Sequence, residues 1–178
     1  KMTTSNSFSI PCSTSNLGPG FDCFGLALSL SMHIHIQKLD SLPQPVSPNQ
    51  LRTAIQFQFN GFQAEKLQNY ASMGKNLILD MIIRVLEEER VNKVQHSFLI
   101  RVKNEIPIGS GLGSSGVAVI AGIICARFVG GLPEWSKTEI LEKALHIEGH
   151  PDNVTPSILG GFVSAVTVPP TDTSYGPG

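Results

Sequence analysis

The sequence predicts an α+β domain, on three observations. Hydrophobic residues make up 41% of the 178 and charged residues 15%, enough apolar mass for one ordinary core without metal or disulfide staples. Stretches with a period of two and stretches with a period near 3.6 both occur, so strands and helices coexist. Their order is strands, helix, strand, two helices, strand, without the regular alternation of a doubly wound sheet.

Each element has its own signal. FSIPC (8–12) reads as a short strand, NLGPGFDCFG (16–25) as a glycine-punctuated loop, and LALSLSMHIHIQKL (26–39) alternates as a long strand should. Three prolines make DSLPQPVSPNQ (40–50) a surface loop. Ile55, Phe57 and Phe59 alternate up to an Asn-Gly pair, which predicts a strand running into a tight turn over 54–63. Asn76 is a good N-cap, and Ile78, Leu79, Ile82, Ile83 and Leu86 form one apolar stripe beyond it, with Glu87 to Arg90 facing water. Phe98, Ile100 and Val102 mark a strand over 96–104. An apolar helix over 116–129 is closed by Gly130-Gly131 and Pro133. Ser136 and Glu139 form a capping box for a helix over about 137–148. GGFVSAVTV (160–168) reads as a last strand, and PPTDTSYGPG (169–178) as a linker-like tail. The expected organisation is one domain over 1–168 followed by that tail.

Charge and cysteine usage exclude several classes. Thirteen basic and fourteen acidic side chains leave a net charge of −1 with no basic tract, against a protein held by nucleic-acid phosphates. No apolar run is long enough to span a bilayer. Cys12, Cys23 and Cys125 are odd in number and form no CxxC pair, which favours reduced, buried thiols and a cytoplasmic setting. No signal-peptide core opens the chain, and a cleaved organelle presequence would leave no trace.

Three loops carry the chemistry. PIGSGLGSSGVA (107–118) is bare backbone directly before the apolar helix. A helix starting near Ser114 leaves its first N–H groups without carbonyl partners and presents the positive end of its dipole. Glycines before it let the backbone close on a ligand, and serine hydroxyls add donors, which together suit a polyphosphate. No GxxxxGK[ST] occurs and Gly109, Gly111 and Gly113 merely alternate, so this is neither a P-loop nor a dinucleotide fingerprint, and Mg²⁺ would have to neutralise the charge. Read alone, the stretch is equally a serine-capped flexible loop. Asn16 and Asp22 flank a Gly-Pro-Gly turn that could hold an amide and a carboxylate toward a polar substrate group, or simply cap a turn. EGHPDN puts Glu148, His150, Asp152 and Asn153 within six residues at a helix end. His33 and His35 share a strand face but lack a third ligand, so no metal is assigned to them. His96 and His146 read as surface residues, and Trp135 as a packing anchor.

These motifs resemble the GHMP kinases. PIGSGLGSS fits that superfamily's PxxxGLGSS phosphate loop. PCSTSNLGPGFDCFGLALSL (11–30) and EGHPDNVTPSILGGF (148–162) resemble the N-terminal motif and HPDN segment of its homoserine kinase branch, and the similarity spans about residues 8–168. The resemblance implies a ribosomal protein S5 domain 2-like fold, a mixed sheet with packed helices. It implies a phosphate loop of Pro107, Ile108, Gly109, Ser110, Gly111, Leu112, Gly113, Ser114, Ser115, Gly116 and Val117, with Asn76 in the adenine pocket. Ser115 and Glu148 would be the Mg²⁺ ligands, in keeping with the few protein oxygens Mg²⁺ needs beside phosphate. Asn16, Asp22, His150 and Asn153 would bind L-homoserine, with Asp22 on its ammonium. The implied reaction moves the ATP γ-phosphate to the homoserine hydroxyl. Mevalonate kinase relatives place an aspartate as base where this branch has asparagine, here Asn153, which leaves two alternatives: no dedicated base, or Asp152 as the competitor for that role.

Two departures bear on this reading. Gly116-Val117 replaces the common Ala-Ala, which costs about 1 kcal/mol at the glycine. Family members run to about twice this length, with a second glycine-rich motif and carboxylate-gripping arginines that have no counterpart here. The expectation is therefore an N-terminal portion, weakly active or inactive alone. A homodimer is compatible with it, and no nucleic-acid or membrane partner is expected. The alternatives are another GHMP small-alcohol kinase or a non-catalytic nucleotide-binding module.

Overall fold

In the computed structural model, which describes residues 4–166, one mixed sheet carries helices on a single face. β1 (Ser5–Leu17) and β2 (Gly20–Val46) form a long antiparallel hairpin closed at Leu17 and Gly20. β3 (Ile55–Gly61) lies parallel to β4 (Val94–Asn104), β4 lies antiparallel to β2, and the order is β1-β2-β4-β3. A short β5 (Phe162–Ser164) pairs with the beginning of β2. The α+β class and the mixed sheet stand as expected.

Alternation decides which strand face is buried. Ile34, Ile36, Ile100 and Val102 turn inward and are at most 2% exposed. They meet Ile82, Val85 and Leu86 of α2 (Leu77–Glu88) and Ile120 and Ile123 of α3 (Ser114–Gly130). His33 and His35 turn to the other face, where His35 Nδ1 shares a 2.8 Å hydrogen bond with Ser7 Oγ. A carboxylate does reach His33, since Glu105 Oε1 lies 3.3 Å from its Nε2. Among the described residues, however, no group of three or more His, Cys, Asp or Glu could hold a metal.

Several expected boundaries change. The 16–25 segment is not a loop: β1 and β2 run through it, and only Gly18-Pro19 turns. β2 continues past Pro43 and Pro45 to Val46, and its ladder with β4 is irregular between Lys38 and Val46. That irregularity is where missing proline N–H groups do least harm. Pro48–Thr53 then forms a 3-10 turn. The tight turn expected after Asn60-Gly61 is present at 62–63, but it leads from β3, which pairs in parallel with β4, into an unexpected helix, α1 (Ala64–Ser72). The expected strand over 160–168 is shorter within the described residues, and the tail 169–178 lies outside them.

The helix signals hold more closely. Asn76 caps α2, its Oδ1 accepting from the Leu79 N–H at 3.3 Å. Gly131 (φ 63) ends α3, with Leu132 N–H donating back to the Arg127 carbonyl at 2.9 Å. The capping box of α4 (Lys137–Glu148) is complete: Glu139 Oε2 accepts from the Ser136 N–H at 2.7 Å and hydroxyl at 2.8 Å. Trp135 packs against the core with the Lys143 ammonium 4.5 Å from its ring centroid, and Lys143 also pairs with Glu89. Cys12 and Cys125 are buried and burial pushes both thiols up, so they are inert core residues; Cys23 is half-buried.

The cap predicts an acid response. The Ser136 N–H and hydroxyl, and then Lys143, hold the Glu139 carboxyl below the usual glutamate range. A carboxyl lowered on folding stabilises above its unfolded pKa, and that contribution disappears as pH falls through its folded value. Urea unfolding from about pH 5 to about pH 3 should show a steeper stability loss in the unaltered chain than in Glu139→Gln. Parallel acid branches would refute the assignment.

Candidate active site

The glycine-rich loop expected to hold phosphate lies between β4 and α3. Asn104, 1% exposed at the end of β4, organises its approach: Nδ2 donates to the carbonyls of Phe62 (3.0 Å) and Ile106 (2.8 Å), and Oδ1 accepts from the Ile106 N–H (3.2 Å). Gln63 Oε1 accepts from the Ile108 N–H at 2.8 Å, and Ser110 Oγ donates to the Pro107 carbonyl at 2.9 Å. Gly109, Gly111 and Gly113 all have positive φ, at 76°, 78° and 61°. This alternation of left-handed residues is what the glycine spacing encodes. Gly113 caps α3 without a side chain, so nothing of its own satisfies the first helical N–H groups. α3 begins at Ser114, where the anion-site reading expected a helix start, ahead of the apolar run from 116.

A cleft of about 240 Å³ opens beside that helix start. Leu67, Tyr70, Ile78, Ile108 and Ala118 give it apolar walls. Asn76, Ser114 and Ser115 line it too, so the residue expected near adenine and the serines expected near phosphate share one cavity. Asn76 is 6% exposed and its Nδ2 has no hydrogen-bond partner. A buried, unpaired donor in a cleft wall is open to an acceptor brought by a water or a ligand. Lys75 also lines the cleft, as does Asn104, and neither was singled out from the sequence. A lysine at the far rim does not stand out locally, because the usual motif puts it after the glycines.

The second cluster forms where α5 (Pro151–Leu159) meets the β1–β2 hairpin. α5 was expected only as a helix-end turn. Pro151 at its first position, where a missing N–H costs nothing, was the available signal. Asp152 is 4% exposed, and Asn153 beside it bonds to Ser13 and Ser15. A Cβ on Gly25 of β2 would stand 1.9 Å from the Asp152 carbonyl oxygen, so hairpin and helix touch backbone to backbone. A Cβ on Gly113 would stand 2.7 Å from Asn153 Oδ1 and 2.8 Å from Ser13 Oγ. The glycine-rich loop therefore ends against Asn153 of the HPDN segment.

Glu148 closes α4 half-buried, and His150 is exposed at the cap of α5. Burial pushes the Glu148 carboxyl above the usual range, His150 pulls it back, and the Asp152 charge adds to the rise. Asn16 lies in β1 next to Ser15, and Asp22, exposed and left-handed at φ 57, lies on the β2 limb of the hairpin.

Residues 76–161 match the family model of the GHMP kinases N terminal domain. That segment is a GHMP kinase N-terminal domain. Among similar curated proteins, the homoserine kinase of Saccharomyces cerevisiae is 36% identical over 155 residues, covering 86% of this chain and 42% of its own length. That of Trichodesmium erythraeum is 35% identical over 162 residues, covering 90% and 48%. The chain thus spans about half the length of the curated relatives it matches. The crystal structure of homoserine kinase from Cytophaga hutchinsonii shares the fold with a TM-score of 0.67 at 24% identity, over 92% of this chain and 49% of that one. Mevalonate kinase from Methanococcus jannaschii does so at 0.63 and 18%, over 91% and 53%. In this GHMP kinase domain no helix among the described residues is long and apolar enough to cross a membrane.

The loop geometry carries a prediction. Gly113→Ala places a Cβ against Asn153 and Ser13 and forces a left-handed alanine. It should destabilise the chain by about 1–3 kcal/mol in urea unfolding and weaken nucleotide binding by calorimetry. Unchanged stability together with unchanged binding would show that the contact is not tight.

Proposed function

We propose that this chain supplies the nucleotide- and hydroxyl-binding side of a kinase site that transfers the γ-phosphate of ATP to the hydroxyl of L-homoserine. The observation that carries the reading is the junction at Gly113, where the end of the glycine-rich loop abuts Asn153, whose amide bonds to Asp152. A phosphoryl donor and an acceptor held at those two places would be adjacent, and phosphoryl transfer depends chiefly on such positioning and on charge neutralisation.

The apolar cleft beside Ser114 would take the adenine, with Asn76 Nδ2 offering its spare donor to a ring nitrogen. The bare N-terminus of α3 would take the phosphates. The donor types also suit Mg²⁺: one half-buried carboxylate, Glu148, and one exposed hydroxyl, Ser115, would join a shell mostly supplied by phosphate and water. Bound there, the ion would neutralise phosphate charge. Asp22, Asn16 and His150 would hold the amino acid. Of the two candidates near the hydroxyl, an amide cannot take up a proton at neutral pH, so any base would be Asp152.

The test is Mg²⁺-dependent ADP release with a panel of L-homoserine, mevalonate and other small alcohols, in a protein carrying this chain at the length of its relatives. Turnover with homoserine above the rest is expected. A preference for another alcohol would favour a different GHMP specificity. Nucleotide binding with no turnover on any alcohol would favour the non-catalytic module.

A further inference from the structure

Ser13 and Ser15 stand two residues apart on β1 and so share one face of the hairpin. Ser13, fully buried, donates from Oγ to the Asn153 backbone carbonyl at 2.9 Å and to its Oδ1 at 3.2 Å. Asn153 Nδ2 donates in turn to Ser15 Oγ at 3.1 Å and to Asp152 Oδ1 at 3.3 Å. Together these bonds decide which way round the amide stands. Turned over, it would set its oxygen against the Asp152 carboxylate, two acceptors with no proton between them.

The amide is also wedged from the other side, because Gly113 leaves no room for even a methyl group between the phosphate loop and the Ser13–Asn153 pair. Three segments distant in sequence therefore meet at one side chain: β1, the loop before α3 and the first turn of α5. We propose that Ser13 and Ser15 are positioning residues that clamp Asn153, and through it Asp152, against the end of the phosphate loop. The clamp fixes the spacing between phosphoryl donor and hydroxyl acceptor. It rests on the kinase reading above for its functional meaning, whereas the clamp itself is a property of this chain. Neither serine faces the nucleotide cleft, so its loss should slow transfer without loosening ATP.

Two measurements test it. In this chain, the Asn153 side-chain amide protons should exchange with solvent at least about tenfold more slowly than those of exposed Asn69. Ser13→Ala or Ser15→Ala should remove that protection. Equal exchange in the unaltered chain would overturn the clamp. In a protein carrying this chain at the length of its relatives, Ser13→Ala should lower kcat with homoserine by about tenfold and Ser15→Ala by about threefold, with the KM for ATP unmoved. Neither change should add to the loss in Asn153→Ala. Additive losses, or a changed ATP KM at constant kcat, would overturn it. Should Ser13→Ala fail to fold, half-exposed Ser15 carries the same test, and Ser15→Thr should restore what Ser15→Ala loses. If the unaltered protein releases no ADP with homoserine, the kinase reading fails and the exchange measurement alone decides the clamp.

Discussion

Exchanging Glu148 for alanine is expected to abolish homoserine-dependent ADP release while leaving the fold intact. The carboxylate closes α4 beside the HPDN segment, half-buried, with Asp152 near enough to disfavour its charge. Burial of this kind costs the apo protein, since the charged form has lost water and faces a like charge. A divalent cation bound there would reverse that balance, because it would offset the desolvation and screen Asp152. The stability of Glu148→Ala should therefore equal or exceed that of the unaltered chain at neutral pH, while kcat falls at least about a hundredfold. Raising the Mg²⁺ concentration should not restore it. Undiminished turnover would remove Glu148 from the metal site, and a collapse of stability would make it a structural residue.

Gly25→Ala should be the most damaging single change to the fold. The added Cβ would lie 1.9 Å from the Asp152 carbonyl oxygen and 2.7 Å from Cγ of Pro156. Neither neighbour is the end of a flexible side chain, so the β1–β2 hairpin must move away from α5. Overpacking against backbone costs about 3 kcal/mol or more, a large share of the roughly 5–15 kcal/mol that holds a domain together. For a chain of this size that is a fall in Tm of about 6–12 °C. The same movement would separate Asp152 and Asn153 from Ser13 and Ser15, so transfer should fail in whatever fraction remains folded. A melting temperature near that of the unaltered chain would show that hairpin and helix separate at little cost.

Both predictions concern a site whose parts were legible in unequal degree. The glycine-rich turn was readable because its signal is local: alternating glycines adopt left-handed φ and a long apolar helix follows within a dozen residues. Asn76 and the Ser136–Glu139 box were readable for the same reason, since a cap bonds to N–H groups two or three positions away. α1 went unread because its short segment has no buried residue to produce a periodic stripe. α5 was obscured by two prolines, one at its first turn and Pro156 inside it. The β2 extension through Pro43 and Pro45 was obscured likewise.

Local pattern thus determined the α+β class, the position of the glycine-rich turn, most helix ends and the chemical types gathered in three loops. Only the tertiary structure decided how those loops face one another. The Ser13–Asn153 contact joins residues 140 positions apart, and Gly25 touches α5 through backbone atoms that no side-chain pattern reports. Periodicity records the face each element buries. Which residues then meet across the buried space depends on sheet order and helix placement, and these set Ser13, Ser15 and Gly113 around one amide.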